Sequence, residues 1–205
     1  MGRRNDHSRD ELRELCVKAA GEIIQSEGLG GLTARKVASA IGYSPGTLYV
    51  AFRNLDEIIL HVNGETLADL YECIRLIPDL KPDPLEAALA LANTYLQYAV
   101  EHPYRWRSLF EHRLPPSIPL PDWFNALTTR MFAVVAEPLE RIRPEMPPEE
   151  SLVASRALWS SVHGVASLGL DSKLEIDDRA NVHHVMHLLV VSYVRGLAAS
   201  EEAAT

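Results

Sequence analysis

Few of the residues that staple a small protein together occur in this chain. Among its 205 residues there are two cysteines, Cys16 and Cys73. Both fall within apolar helical stripes, so the expectation is two reduced core thiols and no disulfide framework. No apolar run approaches the roughly 18 residues that a membrane-spanning helix needs, so no span is expected. The opening Met1-Gly2-Arg3-Arg4-Asn5-Asp6-His7 has two arginines without an apolar stretch behind them. That pattern is not a signal peptide, and a cytoplasmic location is expected. A net basic charge is also lacking: the total is −8, which taken whole argues against nucleic acid. There is no glycine-rich phosphate loop behind a strand, no nucleophile elbow and no Cys–His pairing. The Glu101-His102 and Glu111-His112 neighbours read as ordinary surface pairs. No enzyme and no cofactor are expected.

What is present is helical periodicity, almost from end to end. Ser8 and Glu11 form a capping-box pattern. Behind them Leu12, Leu15, Cys16, Ala19, Ile23 and Ile24 make one apolar stripe. Glycines at 28, 30 and 31 end that helix. Thr33 caps a short second helix with Val37, Ala38 and Ile41 inward, and Gly42 stops it. Ser44 is set to cap a third, with Pro45 at its first position. Asp56 and Glu57 open a fourth that ends before Pro78. Helices are expected over about 84–101, 104–113, 121–143 with Pro138 kinking the last of these, 149–170 and 178–199. The proline-rich loop 114–121 and the polar connection 171–178 separate them. The fold class is therefore all-α, with about nine helices. The division expected is 1–54 for a head of three helices and 55–205 for a larger helical body. The charge is divided in the same sense. Residues 1–53 hold eight basic and six acidic side chains, net +2, and the remainder 12 basic and 22 acidic, net −10.

Chemistry concentrates between Leu32 and Ile59. Two short helices joined by Gly42-Tyr43-Ser44 make a helix-turn-helix, whose second helix enters the major groove. With Val37, Ala38, Ile41, Leu48 and Phe52 packed inward, the outer face holds Ser44, Pro45, Gly46, Thr47, Tyr49 and Val50. Hydroxyls on Thr33, Ser44, Thr47 and Tyr49 suit phosphate oxygens, and Arg35 adds a charged donor. The segments Leu32-Thr-Ala-Arg-Lys-Val-Ala38, Gly42-Tyr-Ser44, Gly46-Thr-Leu-Tyr49, Phe52-Arg-Asn54 and Asp56-Glu-Ile-Ile59 together resemble the DNA-binding domain of TetR-family transcriptional regulators. The likeness covers about 50 residues. It implies an all-helical homodimer on palindromic operator DNA, usually a repressor released by a small molecule. Carried over by position, the DNA contacts are Thr33, Arg35, Tyr43, Ser44, Pro45, Gly46, Thr47, Tyr49, Val50 and Arg53. Val50 and Leu55 depart from the family, which often has a larger or polar reader at the first and a phosphate-gripping lysine at the second. Val50 suits a thymine methyl, and Arg3 and Arg4 are candidates for an arm reaching the DNA backbone.

In the body, Trp159…His163-Gly164 is similar to the signature of the Trp-His-Gly class of TetR-family ligand domains. The effector-site candidates are Tyr98, Trp106, Phe110, Phe124, Met131, Trp159 and His163, and their character suggests an apolar or aromatic effector. Each aromatic reads equally as core filling, and His163 as a histidine bonding within a helix packing. His183 and His187, four apart, lack an acidic or cysteine partner nearby, so no metal site is expected. The last helix is apolar nearly all round. A second copy covering it, together with the helix from about Leu152 to Leu168, is the expected dimer interface.

Overall fold

The computed structural model describes residues 7–115, 118–174 and 179–202. The arginines proposed as a DNA arm, Arg3 and Arg4, lie outside them. Among the described residues there is no strand, and the all-α expectation holds. The elements are α1 (Arg9–Glu27), a 3-10 turn at Leu29–Gly31, α2 (Ala34–Ala40), α3 (Pro45–Ala51), α4 (Leu55–Ile74), α5 (Ile77–Leu80), α6 (Pro84–Glu101), α7 (Pro103–Glu111), α8 (Asp122–Ile142), α9 (Pro148–Leu170) and α10 (Arg179–Glu202).

Helix starts follow local chemistry. At α1, Ser8 Oγ accepts from the Glu11 amide at 3.2 Å and the Glu11 carboxylate accepts from the Ser8 amide at 2.6 Å, which closes the capping box. Thr33 Oγ1 accepts from the Lys36 amide at 3.2 Å. Asp83 Oδ1 does the same for Glu86 at the start of α6, at 2.9 Å. Ser44 departs from the expectation. It occupies the N-cap position of α3 without a side-chain cap bond, because its hydroxyl lies 3.0 Å from Thr47 Oγ1 instead. Pro78, expected to follow the fourth helix, belongs to the single turn α5. The carbonyls of Pro78, Lys81 and Pro82 around that turn accept from Arg141 of α8.

The chain forms two compact units. One is the stretch up to Ala68 with His102–Pro121, and the other Asp69–Glu101 with the stretch from Asp122 onward. These boundaries differ from a cut at residue 54. The first part of α4 and the whole of α7 pack with the head. Its core gathers Cys16, Ala20, Ile24, Val37, Ala38, Leu48, Phe52, Ile58 and Val62. Tyr104 of α7 lies over Gly28, whose φ of +74° suits the end of α1. Asn63 of α4 and Ser108 of α7, both buried, bond twice: Asn63 Nδ2 donates to the Ser108 carbonyl at 3.1 Å, and Ser108 Oγ donates to Asn63 Oδ1 at 2.8 Å. The second unit is a bundle of α6, α8, α9 and α10 with the end of α4 and α5. Tyr193 of α10 donates to the Ala154 carbonyl of α9 at 2.8 Å there.

One of the two cysteines corrects the expectation of core thiols. Cys16 is fully buried, but Cys73 is exposed. The buried stripe at this end of α4 runs through Leu70 and Ile74, and Cys73 lies off it. Partial burial, then the carboxylates of Asp69, Glu101 and Glu72, push its thiol above the ordinary range.

Candidate nucleic-acid interface and effector cavity

In the head, α2 and α3 are joined by a turn in which Gly42 takes a φ of +75°, a conformation that glycine adopts freely. The Tyr43 amide then donates to the Ala38 carbonyl at 2.9 Å, folding α3 back across α2. Leu48 and Ala51 anchor the inner side of α3, at most 1% exposed. Its other side is open. Tyr49 is 52% exposed and Val50 65%, a degree of exposure that leaves both rings and methyls free for a groove. Ser44, Pro45 and Gly46 are exposed, and Thr47 half-buried. Thr33, Arg35 and Arg53 are exposed as well. All ten residues expected to meet DNA therefore lie in one compact unit, and none is buried.

Two neighbours of this surface, His7 and Arg13, carry no local sequence signal. His7 Nδ1 lies 2.7 Å from the Tyr43 hydroxyl, with the rings edge to face at 6.0 Å. Arg13 of α1 donates to the carbonyl of Ala51 at the end of α3 and to Glu57 Oε1 at 3.2 Å. Glu57 also accepts from the Arg53 amide at 2.7 Å. Partial burial pushes the Glu57 carboxyl up, but the Arg53 amide and the Arg13 guanidinium outweigh it, so its pKa lies below the ordinary carboxylate value. His7 and Tyr43 are 36 residues apart, and Arg13 is 38 from Ala51 and 44 from Glu57, so no motif spacing would have joined them.

The second unit holds an apolar cavity of about 40 Å³. Its wall includes Ile74 from α4, Leu91 and Tyr95 from α6, Met131 and Val135 from α8, and Leu158, Trp159 and Val162 from α9. Polar chemistry enters at one point. The Tyr95 hydroxyl is 2.8 Å from His163 Nδ1, and the Trp159 indole stacks on the His163 ring at 5.4 Å with an interplanar angle of 21°. Phe132 meets Trp159 edge to face at 5.6 Å. Burial holds the His163 imidazole below the ordinary histidine range, which favours its neutral form. Of the expected effector residues, Met131 and Trp159 line this cavity and His163 stands behind Tyr95. Tyr98 and Phe124 are buried in the same unit without lining it. Trp106 and Phe110 do not join them. They sit on α7 in the other unit, edge to face at 5.4 Å, with Trp106 2% exposed. Aromatic content cannot distinguish these two environments, because both bury rings. Tyr95, which is not among the expected effector residues, is the ring that joins cavity to histidine.

On α10, His183 and His187 are exposed, and His183 Nδ1 lies 3.3 Å from Asn93 Oδ1. No group of three or more metal-ligating side chains is assembled among the described residues. Nor is any helix among them long and apolar enough to cross a membrane.

An exposed recognition helix on a helix-turn-helix head, followed by a helical body, defines a DNA-binding transcription regulator. Comparison with known families carries the assignment further. The family described as "Bacterial regulatory proteins, tetR family" matches residues 17–62. The one described as "Tetracyclin repressor-like, C-terminal domain" matches 88–193, about half of the chain. The chain belongs to the TetR family of transcriptional regulators, which are not enzymes. It is similar to the HTH-type transcriptional regulator Rv1816 of Mycobacterium tuberculosis, 23% identical over 197 residues that cover 82% of this chain and 84% of that one. Among solved structures it is similar to a protein of unknown function from Rhodococcus sp. RHA1, with a TM-score of 0.73 and 16% identity, covering 96% of this chain and all of that one. It is also similar to the transcriptional regulator FadR from Bacillus subtilis in complex with stearoyl-CoA, with a TM-score of 0.63, 15% identity and coverage of 90% and 97%.

Proposed function

We propose that the chain is a cytoplasmic, homodimeric repressor that leaves a palindromic operator when a small apolar or aromatic effector enters its body. The observation that carries this reading is the pairing of an open recognition face on α3 with an almost wholly apolar cavity in the other unit. One helix serves both, since the unit boundary falls inside α4 between Ala68 and Asp69. The ten contacts Thr33, Arg35, Tyr43, Ser44, Pro45, Gly46, Thr47, Tyr49, Val50 and Arg53 hold the DNA. Backbone grip comes from hydroxyls and arginines, and base reading from Thr47 and Val50. A second copy covers the apolar side chains left open on α9 and α10, where Val153 is 66% exposed and Leu188 60%.

A cavity of about 40 Å³ is far below the roughly 300–1,000 Å³ of sites that enclose drug-sized ligands. Entry of such an effector therefore requires the wall of the cavity to open. The effector prefers the opened body, and operator affinity falls by that preference alone. Trp159 stacked on His163 supports the Trp-His-Gly class of ligand domain, with Tyr95 and His163 as the polar fixing point. The stearoyl-CoA of the FadR neighbour agrees in kind with an apolar effector.

Selection of DNA fragments bound from a random pool, followed by a thermal-shift screen of apolar and aromatic compounds, tests both halves. The expected result is one enriched palindrome, and a compound that raises the melting temperature while releasing that DNA. Absence of enrichment overturns the DNA half. A compound that stabilises the protein without weakening DNA binding overturns the coupling.

A further inference from the structure

Arg13 makes more contacts than a surface arginine of α1 has any need of. Its guanidinium carbon lies 4.2 Å from the centre of the Phe52 ring. Nη1 donates to the carbonyl of Ala51, the last residue of α3. Nη2 donates to Glu57 Oε1 at 3.2 Å and lies 2.8 Å from His61 Nε2. A guanidinium carries donors only, so His61 Nε2 holds that place as an acceptor. That requires a neutral imidazole with its proton on Nδ1. We infer that Arg13 and His61 are positioning residues for the recognition helix: Arg13 ties the end of α3 to α1 and α4, and the tie requires His61 unprotonated, so that operator affinity falls as His61 takes up a proton. The inference rests on α3 being the DNA-reading helix.

Physical chemistry supports each part. The last carbonyls of a helix lack partners and carry its negative end, so a cation there satisfies both. Once protonated, His61 loses its acceptor and sets a second cation against the first. The groups facing it can be named from every element around it. From α1 come Asp10, Arg13 and Glu14, and from α4 Glu57 and Glu65. Glu65 is in turn paired with Arg105 of α7, whose Nη2 lies 3.5 Å from Glu65 Oε2. Burial holds the His61 pKa below the ordinary histidine value, Arg13 pushes it the same way, and Glu57 opposes them. The imidazole is therefore neutral at neutral pH. A groove of about 300 Å³ between α1 and α4, lined by Asp10, Arg13, Glu14, His61 and Glu65, gives water and protons access to it.

The test uses the full-length protein and a duplex recovered by selection from a random pool. Affinity is read by fluorescence anisotropy at pH 7.5 and pH 5.5 for the wild type, His61→Gln and Arg13→Lys. Amide hydrogen exchange of α3 is followed in the same samples, corrected for the intrinsic effect of pH. The wild type is expected to lose about fivefold in affinity in acid, the scale of one hydrogen bond, and α3 to lose protection with it. In His61→Gln the amide oxygen still accepts from Arg13 and does not titrate, so both losses shrink to those of the other histidines. Arg13→Lys removes the fork, and its acid loss is expected to be small too. Equal pH profiles in the wild type and His61→Gln, in affinity and in exchange, overturn the inference. If no duplex is selected at any pH, the DNA reading has failed, and the exchange profiles still decide whether His61 controls α3. If Arg13→Lys does not fold, the comparison of wild type with His61→Gln decides alone.

Discussion

Thr47 and Tyr49 occupy the open face of α3, where neither has a core to support. Removing a hydroxyl from either therefore tests recognition with little effect on folding. Thr47→Ala and Tyr49→Phe are each expected to weaken operator binding by about 0.5–1.5 kcal/mol, the worth of one neutral hydrogen bond. Gel-shift affinity unchanged in both would remove α3 from the interface. The titrating residues make a second prediction. Burial depresses the folded pKa of His163, and burial with Arg13 does so for His61, each from an ordinary 6.5. The unfolded chain then binds more protons than the folded one, so stability is present above pH 6.5 and is lost as pH falls below it. Glu57 adds a separate loss below its ordinary 4.5, because its folded carboxyl is held below that value. Melting temperature measured against pH should fall in these two windows, and Glu57→Gln should reduce the lower one. At this scale the sequence was legible wherever the chemistry is local. The Thr33 cap, the Pro45 start and the exposure of Val50 all follow from neighbours within one turn. The tie between Arg13 and His61 spans 48 residues and was invisible for that reason.

Helix starts with a local cap were legible for the same physical cause: Ser8 with Glu11, and Thr33, each satisfy orphan amides. The Asp83 cap on α6 was not anticipated, and Pro148, expected in a loop, is the first residue of α9. What a one-dimensional pattern cannot contain is which helix packs on which. A division at residue 54 assigns α7 to the body, and its aromatic Trp106 and Phe110 to the effector candidates. Two polar side chains hold it to the head's part of α4 instead. Asn63 and Ser108 exchange hydrogen bonds in a site from which water is excluded. Deleting one partner leaves the other unsatisfied, which costs more than the bond itself contributes. Ser108→Ala is expected to destabilise the protein by about 1–3 kcal/mol in urea unfolding. Asn63→Leu with Ser108→Ala together should cost less than the sum of the single changes. Additive costs would mean that the two side chains are not a pair.

Charge and exposed apolar surface belong to the whole molecule. Residues 1–53 carry a net +2 and the rest −10, so long-range attraction to DNA is weak and directed at one end. With so small a basic excess, a single head would bind weakly, and two heads joined in one particle would gain the effective concentration of the second. On the proposed reading, dimerisation is then a condition of operator affinity. Leu188 of α10, 60% exposed, and Val153 of α9, 66% exposed, lie on the surfaces that a second copy would cover, and neither faces the core of its own bundle. Leu188→Glu is expected to leave helix content unchanged, because that side chain already meets solvent. Across a two-fold axis it sets charge against apolar surface or against its own copy. Light scattering at micromolar concentration should give twice the 22.8 kDa chain mass for the wild type and a lower mass for the variant. Operator affinity of the variant should fall at least tenfold, with a shallower salt dependence as fewer phosphates are gripped at once. A wild type that scatters as a monomer, yet binds the selected palindrome with full affinity, would show that α9 and α10 are not the interface on which recognition depends.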